Sequence, residues 1–250
     1  MKHRFVVVGI ALLISLPLCA QEPRHLFHAS AFAVQGRADD HQIATQAAVV
    51  LPESGGSLSQ RVENFDDGVV RFAEAISEVT GVERDGVAFT TSTVSIRDVD
   101  IMHIVHADRI VLRASSRQRI GDAEGSISFA GSRMDGLTVR GEPVQLVMDV
   151  ERFNRAPTFA SLHAKLRSDR DDVAIERSGA ISDSIVRSIN LASFGTTKGY
   201  ALPIEGVGTL YLGHVTATPG ERRLAMIRLD LGKHGMVVVG LDDLNGATVP

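Results

Sequence analysis

Beyond an apolar leader, hydrophobic residues recur mainly at every second position, the rhythm of a strand with one buried face. Val144, Leu146, Met148 and Val150 follow it, as do Ala160, Leu162, Ala164 and Leu166. Residues 90–113 read as three short extended pieces, with a phase shift between Ile96 and Val99. Residues 208–231 read as a hairpin turning through Thr218-Pro219-Gly220-Glu221, where Pro at the second and Gly at the third position suit a type II turn. Phase shifts at Gly213 on the outgoing strand and Met226-Ile227 on the return predict matched bulges or a bend.

One stretch departs from this rhythm. Val69, Phe72, Ala73, Ile76 and Val79 fall at helical spacing between Asp66/Asp67 and Gly81, which are helix start and stop signals. They predict one short helix near residues 67–80. Residues 53–57, 121–125 and 168–172 read as surface turns, whereas residues 178–206 carry no assignable pattern. The expected fold is all-β, an antiparallel two-sheet sandwich with that single short helix. A β-solenoid is the alternative, because the Gly-punctuated pieces between residues 90 and 141 would also suit its coils.

At the N-terminus, Lys2, His3 and Arg4 precede an apolar run over residues 5–18, broken by Gly9, Ser15 and Pro17. A spanning helix needs ~20 apolar residues, so the run reads as a secretory signal over residues 1–20, cut after Ala20. Residues 21–250 then form a single all-β domain, secreted or periplasmic, with no membrane span in the mature chain. Lipid attachment at Cys19 is the rival, but Leu18 is not the small residue such processing favours. An uncleaved N-terminal anchor is the third option.

Charge and composition remove several function classes. The chain has 26 Lys and Arg against 30 Asp and Glu, and the signal contains Lys2 and Arg4 but no acid, so cleavage deepens the net charge from −4 to −6. An acidic chain in which no basic stripe is evident argues against nucleic acid. Cys19 is the single cysteine, which removes disulfides and thiolate chemistry from the mature chain. With no Trp and two tyrosines, Tyr200 and Tyr211, the chain lacks the large rings on which sugars usually stack.

Candidate chemistry is sparse. His103 and His106 are three apart, as are His25 and His28. On a helix that spacing would align two metal ligands, but on a strand it sends them to opposite faces. Asp98 and Asp100 share a strand face and are candidates for a calcium site or an acid pair. His163 falls on a polar strand face, and the Asp242-Asp243-Leu244-Asn245-Gly246 run, with Leu244 where a calcium ligand belongs, reads as a closing turn. Gly206-Val207-Gly208 is followed by Tyr211 and a strand, which excludes a dinucleotide fingerprint. No cofactor or metal is expected.

The run Thr91-Ser92-Thr93-Val94-Ser95-Ile96, followed by Val99, Ile101, Ile104-Val105 and Ala107-Asp108-Arg109-Ile110-Val111, resembles a segment of the bacterial choice-of-anchor P proteins. Gly136-Leu137-Thr138-Val139-Arg140-Gly141-Glu142-Pro143-Val144 is similar to a later section of that family, and the terminal hairpin matches its order of elements. The resemblance implies export and carries no biochemical activity. Residues 245–250 lack the sorting signal frequent in that family, so release is expected over covalent anchoring. The reading that results is a non-catalytic envelope or extracellular module with a structural or adhesive role and a protein partner. The competing class is a secreted hydrolase or metal-binding protein with Asp98, Asp100, His103 and His106 as its site.

Overall fold

The computed structural model describes residues 24–168, 174–175, 179–193, 195–219 and 221–249. The expected signal over residues 1–20, Cys19 included, most of the 168–172 turn and Gly220 of the terminal hairpin lie outside the described residues.

Strands β1 (Arg24–Ala38), β2 (His41–Gln46), β3 (Val49–Val50), β4 (Gly56–Asp66), β5 (Val70–Arg84), β6 (Val87–Ile101) and β7 (Val105–Arg119) come first. Short strands β8 (Ser126–Ser128), β9 (Arg133–Asp135), β10 (Thr138–Val139), β11 (Glu142–Pro143) and β12 (Gln145–Met148) lead to helices α1 (Glu151–Asn154) and α2 (Phe159–Ser168). Strands β13 (Ala174–Ile175), β14 (Ile181–Ser184), β15 (Val186–Leu191), β16 (Gly195–Lys198), β17 (Ala201–Ile204), β18 (Gly208–Thr218), β19 (Glu221–Asp230) and β20 (Gly235–Val249) follow.

Two large antiparallel sheets result. The first runs β13-β14-β18-β19-β20-β1-β2, the second β11-β10-β7-β6-β5-β4, and β12-β15-β16 make a small third sheet. The first two pack face to face, with β1 across β5 and β6 and β20 across β6 and β7. The all-β sandwich is therefore the fold. Its interior pairs the small inward residues Ala29, Ala31 and Ala33 of β1 with the larger Val94, Ile96, Ile110 and Leu112 of the opposite sheet, all essentially without solvent exposure.

A crease crosses each large sheet. In the first, ladder pairing skips Gly213, Met226, Gly240 and Ala33 on adjacent strands. In the second it skips Asn64, Ala73, Asp98 and Asp108. Every other strand supplies a residue of positive φ at this line: Asn64 at 54°, Asp98 at 56°, Gly213 at 58° and Gly240 at 62°. Gly, Asn and Asp are the residues that enter this region at lowest cost. Register is kept across the crease, but the buried phase slips by one. On β6 the buried set changes from Val94 and Ile96 to Val99 and Ile101, and on β18 from Leu210 and Leu212 to Val215 and Ala217. The bend expected at Gly213 and Met226 is present, as is the shift near Ile96, although residues 90–113 form two long strands rather than three short pieces.

The slip also accounts for the helix expected near residues 67–80, which is absent. That segment is strand β5, whose buried residues Val70 and Phe72 give way beyond the crease to Ala75, Ser77 and Val79. A period of two interrupted once imitates a period of 3.6 over a short window. The acids before it stabilise a turn instead. Asp66 accepts the Gly68 N–H at 2.9 Å, and Asp67 accepts those of Val69 and Val70 at 3.0 and 2.8 Å. Gly81 is not a helix stop, since Phe27 and Leu51 press on its backbone where a Cβ would come within 2.7 Å of each. The turn that ends β5 is Asp85-Gly86, both at positive φ, a two-residue hairpin signal the helix reading concealed.

Helical structure occurs elsewhere. Residues 160–166, expected as strand, belong to α2, where Thr158 and Ser161 exchange side-chain and backbone hydrogen bonds at 3.0 and 3.2 Å in the manner of a capping box. His163 is accordingly helical, its ring stacked on Phe159 at 6.0 Å. Asp242 and its neighbours form no closing turn, because β20 runs straight through them paired with β1. Among the described residues no helix is long and apolar enough to cross a membrane.

Candidate functional site

The four residues expected to carry chemistry lie where β6 turns into β7, and they separate into two pairs. Asp100 accepts the backbone N–H of His103 at 3.0 Å, holding a turn in which Met102 and His103 both have φ of 55°. The same oxygen lies 3.0 Å from His103 Nδ1, and Arg71 approaches the carboxylate at 3.7 Å. Asp98, pushed outward at the crease, lies 3.8 Å from His106 Nε2, which is 3.2 Å from Asp108. Slippage at Asp98 therefore assigns the two acids to different histidines. The imidazoles do separate, with His103 in the turn rather than on a strand. Among the described residues no group of three or more His, Cys, Asp or Glu is placed to hold a metal ion.

His25 and His28 take opposite faces of β1, as their spacing requires. His25 is buried edge-on to Phe27 at 4.7 Å, and burial lowers its pKa, with Glu83 opposing. His28 faces solvent.

A second cluster, unforeseen from the sequence, lies on the outer side of the first sheet. Strands β14 and β17 pair end to end along one edge of β18. Just before β17, the Tyr200 carbonyl accepts the Leu212 N–H at 2.9 Å, which fixes its ring over the sheet. That ring stacks on His214 with centroids 5.6 Å apart, and Tyr211 lies 6.1 Å from each. The Arg228 guanidinium covers Tyr211 at 5.1 Å, and Ser182 Oγ is 2.8 Å from His214 Nε2. Tyr200 and Tyr211 thus come together with one histidine and one arginine. Tyr211 and His214 are three apart and would face opposite ways on an unbroken strand. The slip at Gly213 turns both outward.

Buried charge sits nearer the middle of the molecule. Arg152 and Asp183 form a pair at 2.8 Å in which both are nearly fully enclosed, and burial still raises the Asp183 pKa above the usual range. Asp242 points inward from β20 and is 1% exposed, so burial drives its pKa well up while the Ser92 hydroxyl opposes the shift. Asp243 points the other way, to Arg223 at 3.1 Å. Arg222 is 1% exposed, and desolvation lowers its pKa to about 10 against the pull of Glu124.

The exposed face of the second sheet corrects another expectation. Arg109, Arg113, Arg117 and Arg119 all project outward from β7, so a basic stripe exists in this acidic chain. Its alternation is present in the sequence but is diluted there by the inward residues Ile110, Leu112 and Ala114.

Residues 25–172, more than half of the chain, match the family described as Domain of unknown function (DUF8256). The chain belongs to this family. No curated protein and no solved structure matches it. The DUF8256 segment contains the whole second sheet, with the β6–β7 turn and the arginine stripe. It stops short of β20, which pairs with β1 along nearly its full length, and short of β18 and β19. Residues beyond the DUF8256 segment therefore complete the sandwich core and supply the ring cluster.

Proposed function

We propose that the protein is an exported, non-catalytic β-module that grips an envelope or extracellular protein through the ring cluster on the outer face of the first sheet. The observation that carries this reading is the convergence of Tyr200, Tyr211 and His214 at centroid distances of 5.6–6.1 Å, with Arg228 across Tyr211. Tyr and Arg are the side chains that concentrate binding energy at protein interfaces, because rigid rings supply contact area at small entropic cost. Export rests on the leader over residues 1–20. At the β6–β7 turn the His103 and Asp98 side chains are more than two thirds exposed, which suits solvated ion pairs better than an enclosed catalytic centre.

The test is site-specific photo-crosslinking from position 211 in the exporting cell, compared with the same probe at exposed Val147. A discrete adduct from position 211 alone, lost on Arg228→Ala, supports the reading. Identical adduct patterns from both positions overturn it.

A second reading is favoured by one contact. Ser182 Oγ at 2.8 Å from His214 Nε2 has the spacing of a nucleophile and its base. A secreted hydrolase would cleave an activated ester and lose that activity on Ser182→Ala. Turnover unaffected by that change removes this site as its source.

A further inference from the structure

The β5–β6 hairpin ends in a tip unlike the rest of the surface. Val82 and Phe89, paired across the hairpin, are both 37% exposed and face outward. Arg117 of β7 pairs with Phe89 and places its guanidinium 5.9 Å from the ring. One step closer to the tip, Arg84, Val87 and Arg119 form the next outward row. Val82, Arg84, Asp85, Val87, Phe89 and Arg117 line a groove of about 490 Å³. The ion pairs of the other arginines do not extend to Arg84, Arg117 or Arg119, which have no carboxylate partner among the described residues. On the outward rows three arginines stand against Asp85, while exposed Glu83 lies on the opposite face of the hairpin, so the outward face is cationic in a chain whose net charge is −4. The tip is also stiff, since the Ile120 N–H bonds to the Gly86 carbonyl at 2.9 Å and ties the end of β7 to the turn.

We propose that this tip docks on the surface of a bilayer containing anionic phospholipid, with Phe89 and Val82 entering the headgroup region and Arg84, Arg117 and Arg119 taking the phosphates. Charge complementarity selects an anionic surface, and the planar guanidinium matches phosphate oxygens two at a time. The exposed apolar pair selects a lipid over a soluble polyanion, which would leave Phe89 and Val82 in water. An interface accepts both, burying the apolar residues at the acyl boundary while basic neighbours hold the charged surface. Along the rest of β7 the cations are sparser. Arg109 and Arg113 stand four residues apart, ~14 Å at 3.4 Å per residue, and Arg109 faces Asp135 of β9 in register. The tip is distinct from the ring cluster, which lies on the other sheet.

Flotation of residues 21–250 with vesicles of phosphatidylglycerol and phosphatidylcholine, and with vesicles of phosphatidylcholine alone, tests the proposal. Binding is expected to the first and not the second. It should weaken about fivefold for each single Arg→Ser change at 84, 117 or 119, and roughly a hundredfold for the three together, since each cation near an anionic surface contributes on the order of 1 kcal/mol. Phe89→Ser should cost about tenfold, the loss of one inserted ring. Arg133→Ser, an exposed residue paired with Asp135, should change nothing. All these side chains are solvent-facing, and unchanged thermal melts establish that the variants fold. Equal binding to both vesicle types, undiminished binding by the triple variant, or no flotation at all overturns the proposal. So does capture by heparin or inorganic phosphate without capture by vesicles, which would mark a soluble anion as the ligand.

Discussion

His106, paired in register with Asp100, lies 3.8 Å from Asp98, the left-handed residue of β6, and His214 directly follows Gly213, the left-handed residue of β18. The same backbone slip therefore presents a histidine outward in both sheets. At the β6–β7 turn its neighbours are Asp98 and Asp108, both more than two thirds exposed, so the result is a set of solvated ion pairs. On the first sheet the neighbours are Tyr200, Tyr211, Ser182 and Arg228, and the histidine is enclosed by rings. Coulomb attraction in water is worth little, whereas stacked, half-buried rings combine area with geometry. Identical strand geometry thus yields a local surface feature in one place and a preorganised face in the other. What differs is which side chains the neighbouring strands bring.

The largest test of that comparison is at the slip itself. Gly213→Val should cost roughly 3 kcal/mol, because φ is 58° and a Cβ would lie 2.6 Å from Ile185 Cγ1. Denaturant melts would show it, and near-ultraviolet circular dichroism would show loss of the tyrosine signal. Asp98→Gly, at the matching crease, should be neutral or stabilising by up to ~1 kcal/mol. A small effect at Gly213 would break the link between slip and cluster.

Next comes the contrast between exposed and buried acids. A carboxyl whose folded pKa is raised costs stability above its unfolded value, and lowering the pH through the window between the two values removes that cost. Asp242 is such a group, so Asp242→Asn should stabilise the fold at neutral pH, read as a higher denaturant midpoint. Asp183 and Asp243 shift in the same direction. The readout is therefore the difference between variant and parent, which should shrink as the pH falls toward 4. A difference independent of pH would exclude ionisation as its cause.

Tyr211→Ala should cost about 1–2 kcal/mol by removing contacts to Tyr200, His214 and Arg228. At the small end, His103→Ala and His106→Ala should each stay within about 0.5 kcal/mol in thermal melts. A larger loss at His106 than at Tyr211 would invert the ranking of the two regions.

Strand content was legible because a half-buried strand writes its period of two directly into the chain, and the terminal hairpin was legible with its bend. Residues 67–80 were misread for a physical reason. One left-handed neighbour slips the pleat, and Val69, Phe72, Ala73, Ile76 and Val79 then mimic a helical face. The Asp85-Gly86 turn carried the contrary signal. Residues 160–166 failed in the opposite sense, since Leu162 is deeply buried while Ala160 and Ala164 are exposed, and a short helix presenting so narrow a face leaves no clear period. Of the candidate sites, the β6–β7 turn was visible because its residues are adjacent in sequence. The ring cluster draws on residues 182, 200, 211, 214 and 228, whose separation hid it.

By itself the sequence determined the all-β class, the positions of the creases in β6 and β18, and the acidic balance of the chain. Each is written locally, in alternation, in a Gly or Asp at a slip, or in composition. Tertiary structure alone decided that β1 closes against β20, that two distant tyrosines meet over one histidine, and that Arg117 covers the Phe89 ring. Those outcomes depend on which strands become neighbours, and neighbourhood in a sheet is a property of pairing between segments far apart in the chain.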